Sequence, residues 1–379
     1  MTKATRSLPE KILVGYATRC SEQVLQAVRD GVNVVIWSFV EMTIAAEDNK
    51  AKCTSTFDLF CAKQMITQLD AEGYDDTVHL VSFGGWNGPH LPDELSVEDM
   101  YNSWKELVGG TFHGVDWDLE GHDTLDNPTN VFSIECLESM GRFSMLAKRD
   151  GFIVGMAPPQ SYLDIEESRF SRYVNFTDPD RGWHGEFHYF GHNVYAYLLS
   201  KYGDYIDFVS VQFYESYSRA ALEVFHNHVA PETYLERYVD DLVSNKEESF
   251  FVDFNQDPSL EYPSQMVKLP LSKLVFGFPN GWGAYDDAKD DNEKHCYFDP
   301  TRIGIAYNAL VDSRRAPRGF MFWVIDEEGT KDVYFSRALN DVLKIRTKKE
   351  NQNVFETKKT DSIAVSNGVL VAIIIFDAH

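Results

Sequence analysis

Asp116, Asp118, Glu120 and His122 occupy every second position of the stretch GVDWDLEGHD, which begins at Gly114. Carboxyl and imidazole groups in such a row can exchange protons or hold a cation. The intervening Val115, Trp117 and Leu119 are apolar, and residues of an extended strand alternate faces with period two. The pattern predicts a strand with one apolar and one acidic face. At roughly 3.3 Å rise per residue, same-face neighbours stand about 6 to 7 Å apart, so the carboxyl groups sense one another's charge. Such crowding is costly unless it is used. Two rival readings are the wet face of an edge strand and a metal site. No metal is expected, because residues two apart on one strand rarely converge on a single ion.

The elements that position this row are legible along the chain. Short apolar runs read as strands at Ile12 to Tyr16, Val32 to Phe39, Val78 to Gly84, Gly114 to Leu119, Phe152 to Ala157, Ile206 to Phe213, Leu274 to Phe278 and Gly319 to Ile325. Between them lie amphipathic stretches at helical spacing, among them Ser21 to Arg29, Phe57 to Ala71, Val97 to Val108, Val131 to Arg149 and Tyr234 to Val243. Alternating strand and helix means a parallel sheet. Eight such units favour a (β/α)8 TIM barrel over the alternative, an open doubly wound sheet. In a barrel the chemistry sits where strands end, at the C-terminal face, and Glu120 falls at the end of the fourth strand.

The long mixed stretch between strands six and seven, holding Glu247-Glu248-Ser249-Phe250-Phe251 and running to Pro270, is expected as an insertion over the barrel mouth. The organisation expected is a single catalytic barrel over residues 1–346 and a tail over 347–379. The tail is charged from Arg346 to Thr360 and ends on GVLVAIIIF, about half the length that crosses a bilayer. It is expected to form a strand or dock on an apolar surface, and no membrane span is expected.

The chain has 379 residues, 44% hydrophobic and 14% aromatic, enough for one large core. Thirty-five basic against 59 acidic residues leave a formal charge of -24, which repels phosphate backbones and anionic membranes. Nucleic acid is therefore not an expected partner, whereas a neutral sugar meets no such barrier and aromatic rings stack on its apolar faces. The five cysteines, Cys20, Cys53, Cys61, Cys136 and Cys296, are scattered and odd in number, so neither a disulfide scaffold nor a zinc knuckle is expected. From Met1 to Glu10 the sequence is polar and the apolar run after it is short. No secretory leader is expected, which places the chain inside the cell as it stands, or outside it if a leader was removed. Asn175-Phe176-Thr177 is a glycosylation triplet that matters only on secretion.

Other strand ends carry SFGGW (Ser82 to Trp86), MAP (Met156 to Pro158), VQFYE (Val211 to Glu215) and FMFWVID (Phe320 to Asp326). Together with GVDWDLE they resemble glycoside hydrolase family 18, the family of chitinases and endo-β-N-acetylglucosaminidases. The resemblance covers roughly Ile12 to Ile345 and runs in the family's order. Five motifs on five strands also make an acidic edge strand an unattractive reading.

The resemblance implies that the family's D-G-x-D-x-D-x-E motif falls on His113 through Glu120. Glu120 would be the general acid and Asp118 would orient the substrate's acetamido group, with Asp116 sharing a proton or hydrogen bond with Asp118. Tyr214 would hold the acetamido carbonyl with Gln212 as its partner, and Trp323 would floor the sugar subsite at the cleavage point. Trp86, Gly85, Met156 and Glu215 complete the candidate substrate-binding set, with Trp183 and Trp282 as weaker stacking platforms. In this family the substrate's own N-acetyl oxygen attacks the anomeric carbon, so no enzyme nucleophile is required. What is required is a carboxyl group that is protonated near neutral pH.

Three positions depart from the pattern: His113 replaces the motif's first Asp, Glu215 stands where relatives carry Asp or Asn, and Pro159 where several have Glu. The resemblance implies a retaining hydrolase of β-1,4-linked N-acetylglucosamine that needs no cofactor. Its expected partner is chitin or an N-acetylglucosamine oligosaccharide. The alternatives are a catalytically silent lectin-like protein and an endoglycosidase of N-glycans. Presence of all three motif carboxylates favours the hydrolase, and no oligomeric state is implied.

Overall fold

Each βα unit of the chain begins with a strand whose side chains alternate between two apolar environments, the inside of the sheet and the layer beneath the helices. In the computed structural model the described residues are 6–124, 126–174, 192–214, 218–245, 247–284 and 297–343. The strands in chain order are β1 Ile12–Ala17, β2 Val34–Ile44, β3 Ala51–Ser55, β4 Val78–Gly85, β5 Gly114–Leu119, β6 Ile153–Met156, β7 Phe208–Gln212, β8 Ser249–Val252, β9 Gln265–Lys268, β10 Leu274–Pro279 and β11 Gly319–Trp323. The helices are α1 Glu22–Arg29, α2 Leu59–Ala71, α3 Val97–Val108, α4 Ile134–Arg149, α5 Val194–Tyr202, the short turn α6 Arg219–Ala221, α7 Pro231–Ser244, α8 Pro300–Asp312 and α9 Phe335–Leu343.

Eight of the strands pair in parallel in the order β1-β2-β4-β5-β6-β7-β10-β11, and β1 bonds both β2 and β11. The ring is therefore a closed (β/α)8 barrel rather than an open sheet. Inward side chains of Ile12, Val14, Tyr16, Val34, Ile36, Val78, Leu80, Phe208, Val275 and Met321 fill the interior. Their neighbours along each strand join the larger core under the helices, where Trp117 and Trp104 both pack edge-on against Phe143, at 5.2 and 5.3 Å between centroids. Helix starts follow from local chemistry: the side chains of Ser96 and Ser133 accept the backbone N–H groups of Asp99 and Cys136, and Pro231 and Pro300 stand in the first turns of α7 and α8.

Three local expectations are corrected. The second strand runs on past Phe39 to Ile44 and folds back through β3, which pairs antiparallel outside the ring with Met42 opposite Cys53. The turn residues Glu47-Asp48-Asn49-Lys50 between two alternating runs are the signal for that hairpin. The insertion between the sixth and seventh barrel strands forms an antiparallel β8–β9 hairpin. It seats against α5 and α7, in the outer helical layer, and not over the mouth. Phe254, just beyond β8, packs on Phe170 and Tyr197, which gives the segment its own apolar anchor.

The third correction concerns cysteine. Cys20 and Cys61, 41 residues apart, form a disulfide that ties the loop after β1 to the first turn of α2, while Cys53 and Cys136 are free thiols. An odd cysteine count does not exclude a single bridge, and a bridge of this kind persists in oxidising surroundings. Closing a loop of this length is expected to stabilise the fold by about 4 kcal/mol. A Cys20→Ser/Cys61→Ser variant should unfold at correspondingly lower denaturant, and dithiothreitol should shift the wild type but leave the variant unmoved.

The segment holding Asn175-Phe176-Thr177, and both the charged run and GVLVAIIIF of the tail, lie outside the described residues. Among the described residues no helix is long and apolar enough to cross a membrane.

Candidate active site

β5 carries the acidic row in the phase that its sequence predicts. Val115, Trp117 and Leu119 enter the outer core, leaving Asp116 and Asp118 to the interior, and Glu120 follows immediately at the C-terminal end. All three carboxyl side chains are buried. His122 leaves the row: the chain turns, its backbone N–H donates to Asn130 Oδ1 at 2.7 Å and its ring Nδ1 accepts from the Thr124 N–H. His113 lies at the opposite end of β5, accepting the backbone N–H of His79 at 2.9 Å, so it supports the strand and is remote from the carboxyl cluster. Among the described residues no group of three His, Cys, Asp or Glu could hold a metal ion.

The deepest carboxyl group is Asp116. Its Oδ2 accepts hydrogen bonds from the hydroxyls of Tyr16 and Ser82, each at 2.7 Å, and its Oδ1 has no hydrogen-bond partner. Burial pushes Asp116 up to about 6, partly offset by those two donors. Opposite it on β6, Gly155 leaves room, because a Cβ there would stand 2.8 Å from Oδ1.

Asp118 accepts from Gln212 Nε2 at 2.8 Å, and the same amide nitrogen donates to the Ala157 carbonyl at 2.6 Å. Glu120 is pushed up to about 7 by burial, against the opposing hydrogen bonds of Asp118 and Gln212. Its Oε2 has no hydrogen-bond partner. A carboxyl group balanced near neutral pH with one free oxygen can both give and take a proton. Tyr16 is held well above its ordinary value by burial and by Asp116, Asp118 and Tyr214, which places these four groups in one electrostatic neighbourhood.

The remaining candidates sort by strand phase. Gln212 and Tyr214 face inward from the end of β7, and Tyr214 packs edge-on to Trp282 at 6.3 Å. Half-buried Trp323 packs on the interior cluster, with Phe39 stacked on it at 5.8 Å and Tyr16 tilted against it at 5.5 Å. The carbonyl of Trp323 accepts from the indole N–H of Trp282 and the backbone N–H of Asn280. Trp86 donates its indole N–H to Asp123 at 2.8 Å, so it braces the loop after β5.

Glycines set the close approach beside Asp118. Gly84 has φ +108° and a Cβ there would lie 2.3 Å from the Asp118 carbonyl oxygen, while a Cβ on Gly85 would strike the Phe39 ring. Gly85 thus makes space for Phe39. Met156 is corrected outright: it is fully buried in the outer core, and the inward positions of its strand are Ile153, Gly155 and then Ala157. Glu215 and Trp183 lie outside the described residues.

Sequence reasoning missed Tyr16, Ser82 and Phe39. Tyr16 was marked by the inward phase of Ile12 and Val14, and Ser82 by the inward phase of Val78 and Leu80. Nothing short of the fold brings them beside Asp116, which is 100 residues from Tyr16.

No family model and no curated protein matches the sequence. Solved structures do match. A family GH18 chitinase from Chromobacterium violaceum is 18% identical over 90% of this chain and 85% of that one, with a TM-score of 0.57. The C-terminal domain of ChiA from Legionella pneumophila is 16% identical over 87% and 96%, with a TM-score of 0.55. A GH18 chitinase from Pseudoalteromonas aurantia is 15% identical over 87% and 99%, with a TM-score of 0.50. At these identities the likeness is one of architecture, and the fold of this chain is that of the family 18 glycoside hydrolases.

Proposed function

We propose that this protein hydrolyses β-1,4-linked N-acetylglucosamine in chitin or its oligosaccharides by a retaining, substrate-assisted mechanism. The observation that carries the reading is the buried inner-face series Asp116, Asp118 and Glu120, ending on a carboxyl group held near neutral pH with a free oxygen. Glu120 donates its proton to the glycosidic oxygen as the bond to the leaving sugar breaks. The acetamido oxygen of the bound sugar attacks the anomeric carbon from the opposite face and forms a cyclic oxazolinium ion. Asp118 holds the acetamido N–H and balances the positive charge, and Tyr214 donates to the amide from the end of β7. Ionised Glu120 then takes a proton from water, which opens the ring on the side the leaving group left, so the anomeric configuration is retained.

Tyr16 and Ser82 hold Asp116 beneath this pair, and Gln212 keeps Asp118 oriented. Trp323, braced by Asn280 and Trp282, offers its ring as the floor for the sugar at the cleavage point, with Phe39 beside it.

The test is hydrolysis of N-acetylglucosamine hexamer followed by proton NMR of the fresh products, with cellohexaose as control. Products that begin as the β anomer, with no cleavage of the glucose oligomer, are expected. Comparable cleavage of cellohexaose would rule the acetamido mechanism out, and hexamer binding without cleavage would favour a lectin-like protein.

A further inference from the structure

Glu120 stands just where the sheet stops supporting the chain. The β4–β5 pairing ends with Gly85 opposite Leu119, and on the other side the last bond is from Ala157 N–H to the Trp117 carbonyl at 2.8 Å. The peptide groups beyond need other partners. The Leu119 carbonyl accepts the hydroxyl of Tyr195 at 2.9 Å, the Glu120 carbonyl accepts Nε2 of His90 at 2.8 Å, and the Gly121 N–H donates to the hydroxyl of Tyr162 at 3.1 Å. The Gly121 carbonyl accepts the Asn87 N–H at 3.1 Å and the His122 N–H reaches Asn130 at 2.7 Å. Three successive peptide planes are thus held from three loops and one helix.

The holding side chains brace one another. Phe132 lies at their centre, 4.3 Å from the His90 ring and 6.1 Å from each of Tyr162 and Tyr195, and the two tyrosines stack at 6.3 Å. Phe132, Tyr162 and Tyr195 are buried. A carbonyl acceptor requires the protonated nitrogen of His90 to be Nε2, and burial lowers His90 to about 4, so it stays a neutral donor across the working range.

We propose that His90, Tyr162 and Tyr195 are positioning residues that fix the Glu120 carboxyl group by locking the peptide planes on either side of it. The inference rests on Glu120 as the proton donor. A displacement of about 1 Å at a proton-transferring group costs on the order of 100-fold in rate, and this side chain has no strand neighbour beyond it to prevent such drift.

The test compares His90→Leu, His90→Gln and Tyr195→Phe with wild type in the full chain. Two readouts are used: steady-state kinetics on N-acetylglucosamine hexamer, and the carboxyl titration of Glu120 by 13C NMR, assigned through Glu120→Gln. His90→Leu and Tyr195→Phe should lower kcat roughly 10- to 100-fold with KM changed less than about twofold. His90→Gln, which keeps an N–H donor, should stay within about threefold of wild type. In the two impaired variants the Glu120 titration should move down from about 7 as water reaches the carboxyl group. A kcat loss rescued by Gln, or a moved titration, upholds the clamp. Variants that keep both and lose only Tm overturn it, as does an equal kcat loss in His90→Gln with the titration unmoved. If wild type hydrolyses no hexamer, the functional reading fails and the titration alone decides the clamp.

Discussion

Glu120→Gln is expected to lower kcat by about 10³-fold while making the protein more stable at alkaline pH. The rate loss follows from removing the proton donor, a contribution typically worth 10² to 10⁴. The stability gain follows from burial. The carboxyl group of Glu120 has an ordinary value of 4.5 and sits at about 7 in the folded protein. Between those two values the folded state holds a proton that the unfolded state has released, so stability falls as pH rises through this window and then levels off. The cost at pH 8 is about 3 kcal/mol, which Gln does not incur. The variant should therefore melt a few degrees above wild type at pH 8 and level with it at pH 4, as read by calorimetry. Equal melting at both values would mean that the carboxyl group is hydrated. The same ionisation sets the alkaline limb: kcat of wild type should decline as pH rises through about 7, as the donor loses its proton.

Asp118→Asn is expected to lower kcat by about 10²- to 10³-fold with the fold intact. Asn keeps the shape and can still accept from Gln212, whose amide lies 2.8 Å from Oδ1. What disappears is the negative charge that balances the oxazolinium ion in a buried, low-dielectric setting. The variant also separates mechanisms. If the acetamido oxygen is the nucleophile, azide should neither restore the rate nor yield a glycosyl azide, and a thiazoline analogue of the ring intermediate should compete with substrate in wild type. Azide rescue with a glycosyl azide product would make Asp118 itself the nucleophile and overturn the substrate-assisted reading.

Strand phase was the most legible property of this chain, because a period of two is written into consecutive residues. The alternation of GVDWDLE places Val115, Trp117 and Leu119 in the outer core and the carboxyl groups inside. The same rule, applied to Ile153, Gly155 and Ala157, assigns Met156 to the outer core, where the motif resemblance alone had put it at the substrate. Helical spacing alone begins the fourth helical stretch at Val131, whereas the Ser133 cap starts α4 at Ile134. The β2–β3 hairpin was readable too, yet its turn lies at the edge of an apolar run that a parallel-strand reading stops short of.

By itself the sequence determined eight alternating units, the inward phase of the acidic row and the place of Glu120 at a strand end. Those properties depend on neighbours along the chain. Only the tertiary structure decided closure of the ring through β1 and β11, the Cys20–Cys61 bridge, the seating of the β8–β9 hairpin on the outer helices, and the partners of each carboxyl group. Tyr16 and Ser82 meet Asp116, and His90 and Tyr195 hold the peptides beside Glu120, across 30 to 100 residues of chain. Burial, which raises Glu120 toward neutral pH, is likewise a property of the closed barrel and its loops, because desolvation depends on everything packed around a group and on nothing in its immediate sequence.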